Sequence, residues 1–175
     1  SAYYAGTGWN AKVRPFIDHK MVVDSIVAFQ NNTFNIAPGS LNQEIVGFEI
    51  TTNGTLNPLT LESVKLNLKN SLSSVSKVNV LYSGAEKNFT KAVPIGTLSA
   101  PDVNETNISA SQLLPEGKSY FWVSYDIKDE VENNQAIDAG LISINLNGQN
   151  VFVDKGDPNG QRLTKNEVLL ASGNN

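Results

Sequence analysis

The residues best suited to chemistry lie on one strand-like segment. Tyr120-Phe121-Trp122-Val123-Ser124-Tyr125-Asp126-Ile127 carries four aromatic side chains in eight positions. Alternation divides it into two faces, with Tyr120, Trp122, Ser124 and Asp126 on one and Phe121, Val123, Tyr125 and Ile127 on the other. The second face reads as core. Tyr120 and Trp122 are then left as a platform for the apolar C–H face of a sugar ring, with Asp126 placed to bond its hydroxyls. The competing reading puts Trp122 in the core, because large aromatic side chains dominate core burial. Trp9, beside Tyr3 and Tyr4, forms a second aromatic group outside any regular alternation. On a rigid scaffold such residues either add to a binding surface or pack the chain's start against the domain.

Other chemistry is sparse. Asp154, Asp157 and Asn159 offer oxygen ligands for a structural calcium ion, but the segment lacks the bidentate Glu that closes a calcium loop. Asp-Pro-Asn-Gly is also a strong turn sequence in its own right, and no other cofactor is expected. His19 is the single histidine, and no Gly-x-Ser-x-Gly elbow accompanies it. The absence of Cys excludes disulfides, thiolate zinc sites and cysteine nucleophiles. The 17 acidic residues show no pairing that marks a glycosidase couple. On its residues alone, the chain reads as a binding or structural module without catalytic residues.

The elements that must position these residues are strands. At 175 residues the chain is one ordinary domain, or a domain with tails. Charged residues are 17% of it, below the usual roughly 25%, which excludes a coiled coil or a charge-driven disordered chain. The net charge of −4 argues against nucleic acid as a partner. No apolar run reaches the roughly 18 residues of a membrane span. The start at Ser1, without a signal-peptide pattern, reads as a mature or excised segment.

Residues 63–69 alternate strictly, and so do the runs around Val46, Phe48 and Ile50, around Val78, Val80 and Tyr82, and around Ile142, Ile144 and Leu146. Asn147-Gly148, followed by Val151 and Val153, signals a hairpin. The run from Val22 to Phe29 reads as a strand buried on both faces, residues 109–114 as a single helical turn, and 161–170 as a last strand. These short strands predict an all-β domain, a two-layer antiparallel β-sandwich of immunoglobulin-like or jelly-roll-like type, with a closed barrel as the alternative. Leu113-Leu114-Pro115-Glu116-Gly117 leading into Tyr120 suggests a corner whose Tyr ring packs inward and bonds backbone. The expected organisation is a lead-in over 1–20, the sandwich over 21–170 and a linker over 171–175.

Several pieces together carry a family likeness. Val80-Leu81-Tyr82-Ser83-Gly84, Phe89, Pro94-Ile95-Gly96, Leu114-Pro115-Glu116-Gly117, the strand 120–126 and Ile137-Asp138-Ala139 resemble the N-terminal domain of BNR-repeat sialidases from gut Bacteroidetes. The likeness spans roughly residues 22–170, and residues 168–175 look like the junction into the catalytic β-propeller. It implies a non-catalytic, carbohydrate-binding-module-like sandwich of an exo-α-sialidase, a neuraminidase of the glycoside hydrolases. The parent would be secreted, periplasmic or on the surface of a Gram-negative bacterium. The implied partners are terminal sugars of host glycans and the propeller of the same polypeptide. No catalytic residue carries over, because the Arg-Ile-Pro motif and the Asp boxes are missing, and Arg14 with Arg162 is too few for a three-Arg clamp. The alternative is a structural or adhesin sandwich with no sugar binding.

Overall fold

Alternating apolar residues punctuated by Asn and Gly fold into short antiparallel strands. The computed structural model describes residues 18–166. In chain order the strands are β1 (Val22–Phe29), β2 (Gln43–Asn53), β3 (Thr60–Asn67), β4 (Val75–Tyr82), β5 (Val93–Ser99), β6 (Glu105–Leu113), β7 (Gly117–Ile127), β8 (Ala136–Ile137), β9 (Gly140–Leu146), β10 (Gln149–Phe152) and β11 (Arg162–Leu163). A single 3-10 turn, Phe89–Lys91, lies between β4 and β5. One sheet has the order β1-β2-β7-β4-β5, the other β10-β9-β3-β6, and β11 pairs with β8 in a short ribbon. The two large sheets pack as a sandwich, and neither closes into a barrel. No helix among the described residues is long and apolar enough to cross a membrane, which says nothing of a β-barrel.

The core lies between the sheets. Phe48, Ile50, Val78, Val80, Phe121, Val123 and Tyr125 from the first meet Leu61, Val64, Leu66, Ile108, Ile144 and Leu146 from the second. Phe48 and Phe121 are register partners and stack at 5.1 Å. Each such side chain contributes about 1.5–3 kcal/mol through burial. At one side of the sandwich the edge strands β5 and β6 come together. A Cβ at Gly96 would stand 2.1 Å from the Ser109 carbonyl oxygen, so only glycine permits this approach.

The strand expectations over β2, β3, β4 and β9 match the structure, and β9 and β10 form the hairpin around Asn147-Gly148. Three expectations are corrected. β1 is an edge strand with Val22 and Val27 exposed, not a strand buried on both faces. Residues 109–113 belong to β6, not to a helical turn, because pairing with β3 satisfies their backbone. Tyr120 does not pack into the core as a corner tyrosine; Tyr125 points inward instead, and its hydroxyl donates to the Asp138 carbonyl at 3.0 Å.

The last described segment is tied down by Arg162 on β11. Its guanidinium donates to the Phe34 carbonyl at 2.7 Å, the Glu44 carbonyl at 2.7 Å and Gln43 Oε1 at 3.2 Å. Backbone bonds from Ile36 to Leu163 and from Lys165 to Ile36 lie alongside. Of the expected last strand over 161–170, residues 161–166 are described, and the strand among them is Arg162–Leu163.

Candidate functional site

β7 is the central strand of the five-stranded sheet, so its outward row has neighbours on both sides. Register places Gly47 of β2 and Leu81 of β4 beside Trp122, Glu49 beside Tyr120, Asn79 beside Ser124, and Lys77 beside Asp126. One strand further out, Phe29 of β1 stands opposite Gly47 and Thr97 of β5 opposite Asn79. Tyr120, Trp122 and Asp126 therefore share the face of the sheet that points away from the core. Trp9 lies outside the described residues.

The aromatic end of this face is built around a missing side chain. A Cβ at Gly47 would lie 2.4 Å from the Phe29 ring and 3.0 Å from that of Trp122. Without one, Phe29 leans over the sheet and meets Trp122 edge-on at 5.2 Å and 81°. Phe89, brought in by the 3-10 turn, meets Trp122 at 5.8 Å and 68°. The turn is itself capped by Asn88, whose side-chain oxygen accepts the Thr90 N–H at 3.0 Å. Trp122 Nε1 donates to Ser83 Oγ at 2.9 Å, and Ser83 Oγ donates to the Glu86 carbonyl at 2.6 Å.

Trp122 is thus outward-facing yet only 2% exposed. Phe29 and Phe89, both half-buried, form the accessible rings above it. The ammonium of Lys87 lies 3.8 Å above the Phe29 ring centroid. Gly47→Val is expected to evict Phe29 and open the indole. In a Trp9→Phe background, acrylamide quenching of the remaining tryptophan should rise and its emission shift to longer wavelength.

The rest of the face is polar. Ser124 Oγ donates to Asn42 Oδ1 at 2.7 Å, Asn79 Nδ2 reaches Ser124 Oγ at 3.3 Å, and Thr97 Oγ1 donates to Asn79 Oδ1 at 3.1 Å. Asp126 accepts the Asn42 N–H at 2.8 Å and pairs with Lys77 at 3.3 Å. This cross-strand ladder fixes hydrogen-bonding groups in register beside the aromatic cluster.

Glu49 sits at the rim by Tyr120. Burial pushes its carboxyl up, but hydrogen bonds from Tyr120, Lys118 and Thr51 outweigh that and hold it below the ordinary 4.5. The same contact raises the Tyr120 phenol. A depressed carboxylate stabilises the fold above its ordinary pKa, and that contribution is lost as pH falls through the folded value. Burial acts with the opposite sign on Glu44 and Asp138, whose carboxyls are raised. Glu49→Gln leaves those two in place. The stability gap between wild type and this variant should be widest at neutral pH and close as pH falls below the ordinary 4.5 and through the lower folded value, as read from urea midpoints.

The turn 154–160 does not present a ready calcium loop. The Asp157 carboxylate is engaged by the Lys69 ammonium, while Asp154 and Asn159 are exposed. Among the described residues no three His, Asp or Glu side chains gather at a metal-sized site. A cation at Asp157 would have to displace Lys69, so these residues do not fit a structural calcium ion. Arg162, buried and bonded to two backbone carbonyls and Gln43, offers no accessible clamp for a carboxylate ligand.

As site residues, sequence reasoning missed Phe29, Gly47, Lys87 and Phe89, and the Asn42 and Asn79 side chains that flank Ser124. A glycine inside an otherwise alternating strand is the one local signal, since it marks a place where another group comes close.

A structural relative, "Hadza microbial sialidase Hz136", superposes with a TM-score of 0.64 at 15% identity, over 81% of this chain and 31% of that one. At that identity the likeness is one of fold, and the chain spans about a third of the relative's length. No curated protein matches the sequence. The family model described as the N-terminal domain of BNR-repeat neuraminidase matches residues 24–150, a stretch that holds Phe29, Gly47, Lys87, Phe89 and the whole of β7. The chain belongs to that family of neuraminidase N-terminal domains.

Proposed function

We propose that this domain is a non-catalytic, glycan-binding accessory module of a secreted exo-α-sialidase acting on host sialoglycoconjugates. The observation that carries the reading is the aromatic group on the outer sheet face. Phe29 and Phe89 are held over Trp122, away from the core, beside a ladder of fixed hydrogen-bonding side chains. Aromatic rings stack on the C–H faces of pyranoses, and neighbouring amides and hydroxyls select among their hydroxyl groups. Tyr120, Trp122 and Asp126 act here from beneath: Trp122 supports the two Phe rings, Tyr120 braces Phe29 at 6.5 Å, and Asp126 anchors the Asn42 end of the ladder.

The gain is one of effective concentration. A weakly binding module tethered to a catalytic propeller keeps that propeller near its substrate. The test is calorimetric titration of the chain with mucin-type oligosaccharides, with Phe89→Ala as control. Saturable binding that the variant weakens supports the reading. Heat flat to millimolar sugar with unchanged tryptophan emission removes it.

A structural reading has its own observation. Phe34 and Leu41, on the loop between β1 and β2, are 80% and 68% exposed and suit contact with a further domain. In that case deleting the module lowers the parent's stability while leaving its activity on mucin no worse than on small substrates. Loss on mucin alone favours glycan binding.

A further inference from the structure

We propose that Asn159 is a site of spontaneous deamidation, the Asn-Gly pair that the folded chain leaves free to react. The reaction needs no enzyme, metal or oxidant, and it stands apart from glycan binding.

Asn-Gly pairs occur at Asn53-Gly54, Asn147-Gly148 and Asn159-Gly160. In each, the glycine has no side chain to hinder its own nitrogen from attacking the asparagine side-chain carbon. That attack closes a C–N bond into a succinimide ring, and the side-chain nitrogen leaves as ammonia with the glycine amide proton. Water then opens the ring. Its oxygen stays on the new carboxylate, one hydrogen restores the glycine N–H, and the other is released as a proton. Attack at the main-chain carbon gives isoaspartate, and attack at the side-chain carbon gives aspartate.

The step requires a glycine N–H that can lose its proton and an asparagine amide that can swing onto it. All three asparagines are exposed, so exposure does not separate them. Hydrogen bonding does. The Gly54 N–H donates to Glu116 Oε1 at 2.7 Å, and Asn53 Oδ1 lies 3.0 Å from His19 Nε2. The Gly148 N–H donates to Glu62 Oε2 at 3.0 Å and Asn145 Oδ1 at 2.9 Å. Asn147 Oδ1 is itself held by the Thr60 N–H at 2.7 Å. A carboxylate acceptor also opposes loss of the proton, because it sets negative charge beside the anion that would form.

Asn159-Gly160 has neither restraint. Among the described residues, no partner engages the Asn159 side chain or the Gly160 N–H. The fold nevertheless keeps a glycine here. Gly160 lies at φ 135°, and a Cβ on it would stand 2.8 Å from Gln30 Oε1. Conversion adds a negative charge to a turn that already holds Asp154 and Asp157. Isoaspartate also adds a main-chain carbon between two fixed points. One is the Gly156 carbonyl, which accepts the Leu141 N–H at 2.7 Å, and the other is Arg162.

The experiment holds the chain at neutral pH and physiological temperature, then digests timed samples with trypsin at mildly acidic pH. Cleavage after lysine and arginine places the three pairs in separate peptides, residues 21–65, 129–155 and 156–162. A gain of about one dalton, located by fragmentation, reports conversion, and an isoaspartate-specific methyltransferase labels the isoaspartyl product. Asn159 should convert at least about tenfold faster than Asn53 or Asn147, the difference that one hydrogen bond to a charged group supports. In urea the three rates should converge, because the protecting bonds are gone. Asn159→Gln should remove conversion from the 156–162 peptide and leave the other two unchanged. Equal rates at the three pairs in the folded chain would overturn the inference. So would an Asn159 that converts in urea but stays intact in the folded chain.

Discussion

Arg162→Ala should destabilise the chain by about 3–5 kcal/mol, the range for removing one member of a buried, hydrogen-bonded charged group. The side chain is nearly inaccessible, with 4% of the residue exposed. Its fork joins three points far apart in sequence: the Phe34 carbonyl, the Glu44 carbonyl and the Gln43 amide oxygen. Truncation strips two backbone carbonyls of a charged donor and leaves a void where β11 meets the β1–β2 loop and the start of β2. For a chain of this size the melting temperature should fall by about 10 °C. Arg162→Lys should recover little, because one ammonium cannot reproduce the planar geometry that serves three acceptors. Urea and thermal unfolding by circular dichroism measure both variants. A loss under about 1 kcal/mol would mean that β11 is not anchored through this residue.

Gly96→Ala should be nearly as damaging as Gly96→Val. The obstruction begins at the first side-chain carbon, which would sit 2.1 Å from the Ser109 oxygen and 3.2 Å from the Ala110 Cα. Those are backbone atoms, so no rotamer change relieves the contact, and β5 must move away from β6. Separating the two edges uncovers Ile95 and Leu98, which pack against the core from β5. A cost of about 2–4 kcal/mol is expected, at or above the upper range for overpacking, because a backbone must shift. Equilibrium unfolding of both variants gives the comparison. A harmless Ala with a damaging Val would show that the edges have slack.

The sandwich was legible because its central strands obey strict alternation. Val64, Leu66 and Leu68 turn inward, as do Phe48, Ile50, Phe121, Val123 and Tyr125. β6 was not legible, for a physical reason. Its inward positions are Thr106, Ile108, Ala110 and Gln112, so a single large apolar residue marks the core face, and the strand is held by pairing with β3.

The 120–127 strand illustrates a different limit. Alternation put Tyr120 and Trp122 on the outward face, and burial statistics put Trp122 inside. The structure does both, because Phe29 and Phe89 roof the outward face. Neither ring could be assigned to Trp122 from sequence, since one arrives from two strands away over the intervening Gly47 and the other from a turn between strands. Ser83, within Tyr82-Ser83-Gly84, accepts the indole N–H from its place just past the end of β4. Asp154, Asp157 and Asn159 look alike as ligands in one dimension. Lys69, 88 positions before Asp157, changes that reading in three.

The most direct test of the account is chemical-shift mapping of the labelled chain as a mucin-type oligosaccharide is added. Glycan binding on the outer sheet predicts saturable shifts at Phe29, Lys87, Phe89 and the Trp122 indole N–H, fading toward Thr97, with β3 and β9 on the opposite sheet silent. Shifts confined to β3 and β9, or a spectrum unchanged at millimolar sugar, would contradict it.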